Sequence, residues 1–240
     1  MHDTAIQNGG RFFKTYASDL QNATVLDIGT QNINGSLKDV CPPHMKYVGV
    51  DFVSATGFDV VLDDPCKLPF ENSSVEVVVS SPCFEHSEMF WLVFLEVMRI
   101  LRPRGLFYLN APSNGMFHPY PVDCWRFYPD SGVALANWAR RNGINAILLE
   151  SYISAQLSDG WSDCVAVFLK DDTYGTEFPD RITDKFGQFR NGRIAGRTTV
   201  VNPAAATEDQ ENLKLFGKLL KGRAQIDALS IGQKRDPVEG

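Results

Sequence analysis

The sequence predicts an α/β domain built on a doubly wound, mostly parallel sheet, and three observations support this fold class. Short apolar segments alternate with helical or loop segments up to about residue 170. These segments are apolar on both of their faces, which is typical of central strands that are covered on both sides. The chain has 240 residues, of which 44% are hydrophobic, enough for one large domain and an appendage.

Seven segments have the composition of strands, and two have the spacing of helices. The predicted strands are residues 23–29, 47–52, 59–63, 75–81, 105–113, 145–153 and 163–171. One helix is predicted between residues 87 and 105, where apolar side chains recur at helical spacing before the sequence RPRG, and another at 129–143. The last strand ends in Lys170 and Asp171, as expected for an edge or antiparallel strand. We therefore expect a seven-stranded sheet whose last strand is antiparallel.

The composition argues against several classes of protein. A net charge of −6 disfavours a nucleic-acid surface, because binding phosphates requires clustered Lys and Arg. The sequence shows no signal peptide and no apolar run of about 18 residues, so we expect a cytoplasmic protein without an integral membrane segment. The cysteines and histidines form no metal-ligand spacing, so reduced thiols and no metal are expected. His2 and His44 lie outside every candidate site.

The first predicted strand runs into the sequence VLDIGTQNINGS, which has the position of a ligand-binding loop. In an open parallel sheet, ligands bind beyond the carboxyl ends of the strands, where the strand order reverses. Gly29 allows a sharp turn there, but Gln31 and Ile33 stand where a dinucleotide-binding motif has glycines. The carboxylate of Asp27 would repel a pyrophosphate. The loop therefore favours a cationic or zwitterionic adenosyl ligand and disfavours NAD.

The second predicted strand ends in the sequence YVGVDF. A carboxylate at the tip of this strand can accept hydrogen bonds from both hydroxyls of a ribose, since it has two acceptor oxygens. Asp51 is therefore the strongest single candidate for a binding residue. The alternative is that Asp51 only begins a turn.

Residues 23–170 resemble the class I S-adenosylmethionine-dependent methyltransferases, in particular the branch called type 11-like. The resemblance rests on the order and spacing of VLDIGT, YVGVD, DDPCKLPFENSSVEVVVSSPCFEH and LEVMRILRPRGLFYLNAPS, followed by the late strand pair. It implies a Rossmann-like fold, S-adenosyl-L-methionine as the cofactor and S-adenosyl-L-homocysteine as the product. The sequence departs from the family at Gln31 and Ile33, where the usual loop glycines are missing.

The resemblance also implies a set of cofactor-binding residues near the ends of the predicted strands. They are Asp27, Gly29, Thr30, Gln31, Asp51, Phe52, Asp64, Ser80 and Ser81. In the family, the first loop holds the methionine part of the cofactor and the acid after the second strand binds the ribose. The acid before the LPF sequence receives the adenine amino group, for which Asp63 is a second candidate. The two serines match positions that contact the methionine part and the transferable methyl group.

Residues 114–128 form a predicted insert that should lie over the cofactor methyl group. An alcohol acceptor needs a general base within hydrogen-bond reach, most often a histidine or a carboxylate. The candidate catalytic residues are His118 and Asp123 in the insert and His86, which belongs to an EH pair matching the family. His86 could instead cap the next helix or line the pocket. Cys83, with no activating partner nearby in sequence, is interpreted as a packing residue.

The same insert combines aromatic and polar side chains, which suits a compact polar ligand such as a sugar or a phenol. The predicted substrate-binding residues are Glu85, Tyr120, Trp125 and Arg126. Part of the insert resembles an HxxPxDxWRF stretch of uncharacterised family members, many of them associated with polysaccharide pathways. The alternative interpretation is structural, with Asp123 and Arg126 forming an ion pair and Trp125 packing in the core.

Two parts of the chain differ in composition. Residues 1–172 are predicted to form the methyltransferase-like domain, and residues 173–240 a C-terminal extension. The extension contains a short amphipathic helix with Thr207 as a possible N-cap and Gln210 three residues later. This helix could pack on the parent domain or form a homodimer, and the chain beyond it is expected to be disordered.

The sequence supports two hypotheses about function. In the first, the protein is an S-adenosylmethionine-dependent methyltransferase that methylates a hydroxyl oxygen of a small molecule, a sugar or a glycoconjugate. Its partners would be small-molecule or saccharide substrates, with no nucleic acid and no integral membrane. In the second, it is a catalytically inactive relative that binds or scaffolds, which the missing loop glycines favour.

Overall fold

The computed structural model describes residues 1–29, 35–51, 59–156 and 160–222. The strands are β1 (Thr24–Ile28), β2 (Lys46–Asp51), β3 (Val60–Val61), β4 (Val75–Ser80), β5 (Leu101–Pro112), β6 (Ile147–Ser154), β7 (Asp163–Leu169) and β8 (Phe189–Ile194). The α-helices are α1 (Asp3–Phe12), α2 (Phe90–Ile100), α3 (Pro129–Arg141), α4 (Ile182–Lys185) and α5 (Glu208–Leu220). All eight strands belong to one sheet, in the order β3-β2-β1-β4-β5-β7-β6-β8.

The first half of the sheet is parallel. β1 pairs with β2 on one side and with β4 on the other, while β2 also pairs with β3 and β4 with β5. The chain leaves β1 toward one edge of the sheet and then returns to the other side of β1, so the strand order reverses between β1 and β4. The carboxyl ends of β1, β2 and β4 therefore border the crevice in which such sheets bind their ligands.

The second half of the sheet is antiparallel. β7 runs antiparallel to both β5 and β6, and β8 runs antiparallel to β6. The predicted α/β fold with an antiparallel seventh strand is confirmed, but the sheet has eight strands instead of seven. β8 has the sequence FRNGRI, with only two apolar side chains, so its composition did not predict a strand. Its pairing with the edge of β6 makes it one, because strand formation depends strongly on such context.

The compact unit that contains the sheet extends from Met1 to Pro203. The boundary that the sequence placed at residue 172 falls inside this unit, and the residues after it supply α4 and β8. Phe189 at the start of β8 is buried, with its ring centroid 5.6 Å from that of Tyr152 on β6. Residues 173–203 therefore contribute to the core of the sheet unit.

Both faces of the sheet are covered, as the apolar strands predict. On one face, α2 and α3 lie over a core in which the rings of Phe94, Phe107 and Phe168 contact one another, with centroids 4.9 to 5.9 Å apart. On the other face, α1 stacks Phe12 on Tyr108 of β5, with centroids 4.8 Å apart. The two cores hold the strand ends at the crevice in fixed positions.

Helix α1 was not predicted, because its sequence contains adjacent glycines, and glycine disfavours helix. Gly9 has a packing role: a Cβ atom at this position would lie 2.2 Å from Cδ2 of Leu37. The absence of a side chain lets the helix approach Leu37 closely. The stability of α1 therefore comes from tertiary contact more than from local propensity.

A buried carboxylate connects the antiparallel half of the sheet to two distant segments. Glu150 on β6 is fully buried and accepts hydrogen bonds from the hydroxyl of Tyr16 (2.5 Å) and the amide of Ile182 (2.7 Å). It also accepts from the amide and the hydroxyl of Thr183 (3.0 and 2.7 Å). Burial and the neighbouring Glu150 raise the pKa of Tyr16 well above its ordinary value, so this hydroxyl keeps the proton that it donates.

A second unit begins at Ala204 and contains α5. The hydroxyl of Thr207 accepts a hydrogen bond from the amide of Gln210 (3.3 Å), so the predicted N-cap is confirmed. The predicted disordered end lies outside the described residues. Throughout the described ranges, the helices are too short or too polar to cross a membrane.

We expect Glu150→Ala to destabilise the sheet unit by about 3 kcal/mol, because it leaves buried amide and hydroxyl donors without an acceptor. Urea unfolding followed by circular dichroism measures the change in the free energy of unfolding. The control is Glu177→Ala, which removes an exposed partner of Arg104 and should change that free energy by less than about 1 kcal/mol. Equal effects of the two substitutions would show that the buried network does not stabilise the unit.

Candidate functional site

Two adjoining cavities open at the carboxyl edge of β1, β2 and β4. The first has a volume of about 300 Å³ and the second of about 210 Å³. Gly29, Asp51, Cys83 and His86 line both of them. The ends of three neighbouring strands therefore meet at one place, and the structure brings Gly29 and Asp51 together there.

Gly29 follows β1 and has a backbone conformation that favours glycine, with φ of +81°. A Cβ atom at this position would lie 2.4 Å from both Cβ and Sγ of Cys83. The amide of Gly29 donates a hydrogen bond to the carbonyl of Val50 on β2 (2.9 Å). Gly29 thus allows the chain after β1 to lie against residue 83, and Cys83, interpreted from sequence as a packing residue, is also part of the wall.

Asp51 is the last residue of β2 and is buried, with 4% of its surface exposed. Its carbonyl accepts a hydrogen bond from the amide of Leu62 (2.8 Å), which continues the strand pairing beyond the residue. Asp51 therefore ends a strand at the cavity wall, which is the position that a ribose-binding acid requires.

The two serines after β4 have different environments. The hydroxyl of Ser80 is buried and donates a hydrogen bond to the carbonyl of Ile28 (3.1 Å), so it connects β4 to β1. Ser81 lines the first cavity, and its buried hydroxyl has no hydrogen-bond partner among the described residues. Ser81 is therefore suited to bind a ligand, and Ser80 supports the strand pair beside it.

Asp27 lies deeper in the sheet than the sequence analysis expected. It is buried at the next-to-last position of β1, opposite Gly49 and Val79, and its Oδ2 accepts a hydrogen bond from the hydroxyl of Tyr47 (2.6 Å). Burial and the Asp27 charge raise the pKa of Tyr47 well above its ordinary value. Within the described chain, Asp27 does not line either cavity.

In the described chain, Asp64 also lines neither of the two cavities. Its Oδ1 accepts a hydrogen bond from the amide of Cys66 (2.8 Å), which closes an exposed turn. The neighbouring Pro65 and Cys66 line the second cavity. The remaining predicted cofactor contacts, Thr30, Gln31 and Phe52, lie outside the described residues.

The insert is organised around the carboxylate of Asp123. Its Oδ1 and Oδ2 accept hydrogen bonds from the guanidinium of Arg126 (2.5 and 2.9 Å), and Oδ2 also accepts from the backbone amide of His118 (2.8 Å). Arg126 donates further to the carbonyl of Met116 (3.0 Å). The Asp123 side chain is only 2% exposed, and Arg126 holds its pKa well below the usual range. The ion pair that the sequence left open is therefore present, and it orders the loop.

Two imidazole rings that line the first cavity contact each other edge-on. The ring centroids of His86 and His118 are 5.0 Å apart. Nδ1 of His86 donates to the carbonyl of Val122 (2.6 Å), and Nδ1 of His118 lies 3.3 Å from Oδ2 of Asp123. Burial lowers the pKa of His86, which favours its neutral ring. With Nδ1 of each ring held in this way, Nε2 is the nitrogen that has a lone pair.

Glu85 is fully buried next to these rings. Its Oε1 lies 3.4 Å from Nε2 of His86, and neither carboxylate oxygen has a hydrogen-bond partner in the described part of the chain. Burial raises the pKa of Glu85 to about 8. Its backbone carbonyl accepts hydrogen bonds from the amides of Cys124 (2.8 Å) and Trp125 (3.2 Å), which join the EH pair to the insert.

Of the other predicted substrate-binding residues, Tyr120 lines a cavity and Trp125 contacts helix α2. Tyr120 is exposed and lines the first cavity. Trp125 donates from Nε1 to the carbonyl of Ser87 (2.9 Å) and contacts the rings of Phe90 and Trp91 edge-on. Trp125 therefore anchors the insert to α2. Its side chain is exposed, so the expectation that it packs in the core is wrong. The structure brings Tyr120 to the cavity.

Residues from the N-terminus and from the segment before β7 complete the site. A third cavity of about 350 Å³ is lined by Met1, His2, Glu85, His118 and Trp161, among others. The ring of Trp161 lies 4.7 Å from that of His118. His2, which the sequence placed outside every candidate site, lines this cavity. No local sequence signal indicates His2, because α1, which follows it, was itself not predicted.

Part of this chain is similar in sequence to a known protein family. Residues 7–109 match the model of a family described as a methyltransferase domain. Among curated protein sequences, none matches the chain.

Solved structures with a similar fold include two with distinct chemistries. One is 1,6-didemethyltoxoflavin-N1-methyltransferase from Burkholderia thailandensis, with 1,6-didemethyltoxoflavin and S-adenosylhomocysteine bound. It is 15% identical, covers 71% of this chain and 80% of its own, and has a TM-score of 0.55. The [4+2]-cyclase SpnF is 10% identical, covers 69% of this chain and 81% of its own, and has a TM-score of 0.51. At these identities, both structures support the fold alone.

The ion pair in the insert should have a large coupling energy. In a double-mutant cycle of Asp123→Asn and Arg126→Met, we expect a coupling of at least about 1.5 kcal/mol in the free energy of unfolding, because the carboxylate is buried. The matched control is the pair of Lys185 and Asp180, 2.8 Å apart with both side chains exposed, for which about 0.5 kcal/mol or less is expected. A coupling in the insert no larger than in the control would contradict an organising role for Asp123.

Proposed function

We propose that this chain, whose residues 7–109 match a methyltransferase domain, is a class I S-adenosylmethionine-dependent methyltransferase that methylates a hydroxyl group of a small molecule or sugar. S-adenosyl-L-methionine, when bound, supplies an electrophilic sulfonium methyl group, and S-adenosyl-L-homocysteine remains. The observation that supports a hydroxyl acceptor is the pair of oriented imidazoles, His86 and His118, beside the cavity that Asp51 lines.

The residues at the strand ends fit an adenosyl sulfonium ligand. Asp51 is buried at the wall of both cavities, so its carboxylate can accept hydrogen bonds from two ribose hydroxyls. The Ser81 hydroxyl, without a partner among the described residues, can bind a polar group of the methionine part. Gly29 has no Cβ atom, which lets the chain after β1 lie against Cys83 at the cavity wall. The acids of this edge favour a positive sulfonium over a negative pyrophosphate.

The insert supplies the groups that act on the acceptor. A hydroxyl is a weak nucleophile, so its proton must pass to a base as the oxygen attacks the methyl carbon. Nε2 of His118 is available for this proton, because Nδ1 is held by Asp123. Asp123 itself is occupied by Arg126 and is a positioning residue. Nε2 of His86 is the second candidate base.

A nitrogen acceptor would use this site less well. The Burkholderia structure belongs to an N1-methyltransferase, so the fold by itself does not select oxygen. A neutral ring nitrogen already has a lone pair for attack and needs less help from a base. In both His86 and His118, Nδ1 is held by a contact, which leaves Nε2 available as a base. Such an arrangement is more useful for an acceptor that must lose a proton. Tyr120, exposed at the cavity, can pack on a sugar or a phenol ring.

A catalytically inactive binding subunit is the second candidate function. The feature that favours it is the absence of the usual loop glycines, because Gln31 and Ile33 stand in their places. Against it, the buried Asp51 and the Ser81 hydroxyl remain at the cavity walls, where a pocket without a ligand would gain from apolar side chains.

A homodimer through α5 extends the proposal to the second unit. Leu213, Phe216 and Leu220 on this helix are exposed, by 72%, 64% and 82%. Apolar side chains at this spacing form one face of a helix, which a second copy of the helix could cover.

Asp51→Asn should weaken the binding of S-adenosylmethionine and S-adenosylhomocysteine by about 10- to 100-fold, because hydrogen bonds from the ribose to an ionised carboxylate are lost. Isothermal titration calorimetry measures both affinities. Asp19→Asn, an exposed substitution of the same kind, is the control and should leave them unchanged. Unchanged affinity in Asp51→Asn would refute the assignment of this residue to the ribose.

His118→Ala should lower turnover by at least about 100-fold while the affinity for S-adenosylmethionine stays the same, because the base acts in the chemical step. Formation of S-adenosylhomocysteine with a panel of sugars and phenols measures turnover. His44→Ala changes an exposed histidine that contacts the carbonyl of Leu20, and it serves as the control. Full turnover of a hydroxyl acceptor by His118→Ala would exclude a role for this side chain.

A further inference from the structure

Glu85, His86 and His118 form a cluster of metal-ligating side chains. Each offers a ligand atom, and these atoms all lie within 4.8 Å of one another. Two ligand atoms bound to one zinc ion at about 2.1 Å lie at most about 4.2 Å apart. Binding therefore needs only a modest closure of the three side chains.

The two histidines have the outer contacts typical of metal ligands. A ligating imidazole usually donates its second ring N–H to a carbonyl or a carboxylate, which fixes the ring and its tautomer. Nδ1 of His86 contacts the Val122 carbonyl, and Nδ1 of His118 contacts Asp123, which Arg126 holds in place. Nε2 of each ring is the nitrogen left to bind an ion.

Glu85 gives the independent indication of a cation. The side chain is fully buried, and neither of its oxygens accepts a hydrogen bond from any described residue. Buried polar groups in folded proteins are nearly always paired, and a buried carboxylate without donors is expensive. A positive ion between the carboxylate and the two imidazoles would offset this free-energy cost of burial.

We propose that Glu85, His86 and His118 bind a divalent transition-metal ion. Two imidazoles and one carboxylate suit Zn²⁺, Co²⁺ or Mn²⁺, and three protein ligands leave coordination positions open. Mg²⁺ and Ca²⁺ prefer sites made of oxygen ligands, so they should bind weakly here.

The role of the ion rests on the proposed function. His86 and His118 line the first cavity, so the open positions face the space assigned to the acceptor. A hydroxyl bound to the ion has a lowered pKa and loses its proton to solvent water. Its oxygen then attacks the methyl carbon, and the carbon–sulfur bond breaks with its electron pair staying on sulfur. In this state, His118 is a ligand and the ion replaces it in activating the hydroxyl.

Metal titration tests the site without measuring activity. The full chain is treated with a chelator and dialysed, and Zn²⁺, Co²⁺ and Mg²⁺ are titrated in separate experiments by calorimetry. We expect saturable binding of one Zn²⁺ or Co²⁺ per chain and weaker binding of Mg²⁺. His118→Ala should reduce the Zn²⁺ affinity by at least about 100-fold, and Asp123→Asn by about 10- to 100-fold. His44→Ala should leave it unchanged.

A spectroscopic readout separates this cluster from the cysteines. Co²⁺ bound by imidazole and carboxylate shows visible bands but no intense thiolate charge-transfer band in the near ultraviolet. Glu85→Gln should remove the visible bands, and circular dichroism checks that each variant is folded. His118→Ala changes a partly exposed side chain and keeps the test valid if Glu85→Gln does not fold.

Three results would overturn the inference. They are the absence of saturable Zn²⁺ and Co²⁺ binding, binding of equal strength in His118→Ala, and spectra dominated by thiolate. The affinity for S-adenosylmethionine, measured on the same samples, keeps the two proposals distinct. If that ligand binds and the metals do not, the metal site is wrong and an imidazole base stands; if it does not bind, the proposed function fails whatever the metals do.

Discussion

The candidate site depends on the ion pair and the hydrogen bonds that the carboxylate of Asp123 makes. This carboxylate fixes the guanidinium of Arg126, the backbone at His118 and the ring of the same histidine. Without it, the insert would lose the contacts that join Arg126 and His118 to the same carboxylate. The sheet supplies the other half of the site, because strand pairing and the two cores fix the ends of β1, β2 and β4. A rigid binding edge and a loop ordered by one buried charge thus meet at the same cavity.

Much of the fold could be predicted because its signals are local. Strands that are apolar on both faces indicate a sheet covered on both sides, and the charged end of the seventh strand indicated its antiparallel position. The elements that escaped prediction depend on distant contacts. Helix α1 contains Gly9, which looks unfavourable in sequence and is favourable only against Leu37. Strand β8 has a loop-like composition and becomes a strand by pairing with β6.

In the candidate site too, features set by local sequence could be predicted and features set by distant contacts could not. Gly29 and Asp51 could be placed at the cavity because their positions follow from where strands end. The sequence offered both a catalytic and a structural interpretation for Asp123, and its ion pair with Arg126 supports the structural one. The sequence could not predict that Glu85 is buried without hydrogen-bond donors among the described residues. That depends on which distant segments pack around the carboxylate. The same holds for the approach of His118 to His86, since no spacing along the chain encodes it.

The Glu150 network has a consequence for how the protein can be divided. A fragment that stops at residue 172 would keep the Glu150 carboxylate and the Tyr16 hydroxyl but would lose every donor from residues 182 and 183. It would also uncover the edge of β6, exposing unpaired backbone groups to other chains. Such a truncation would be prone to aggregate, and a limited-proteolysis boundary should fall after Pro203 instead.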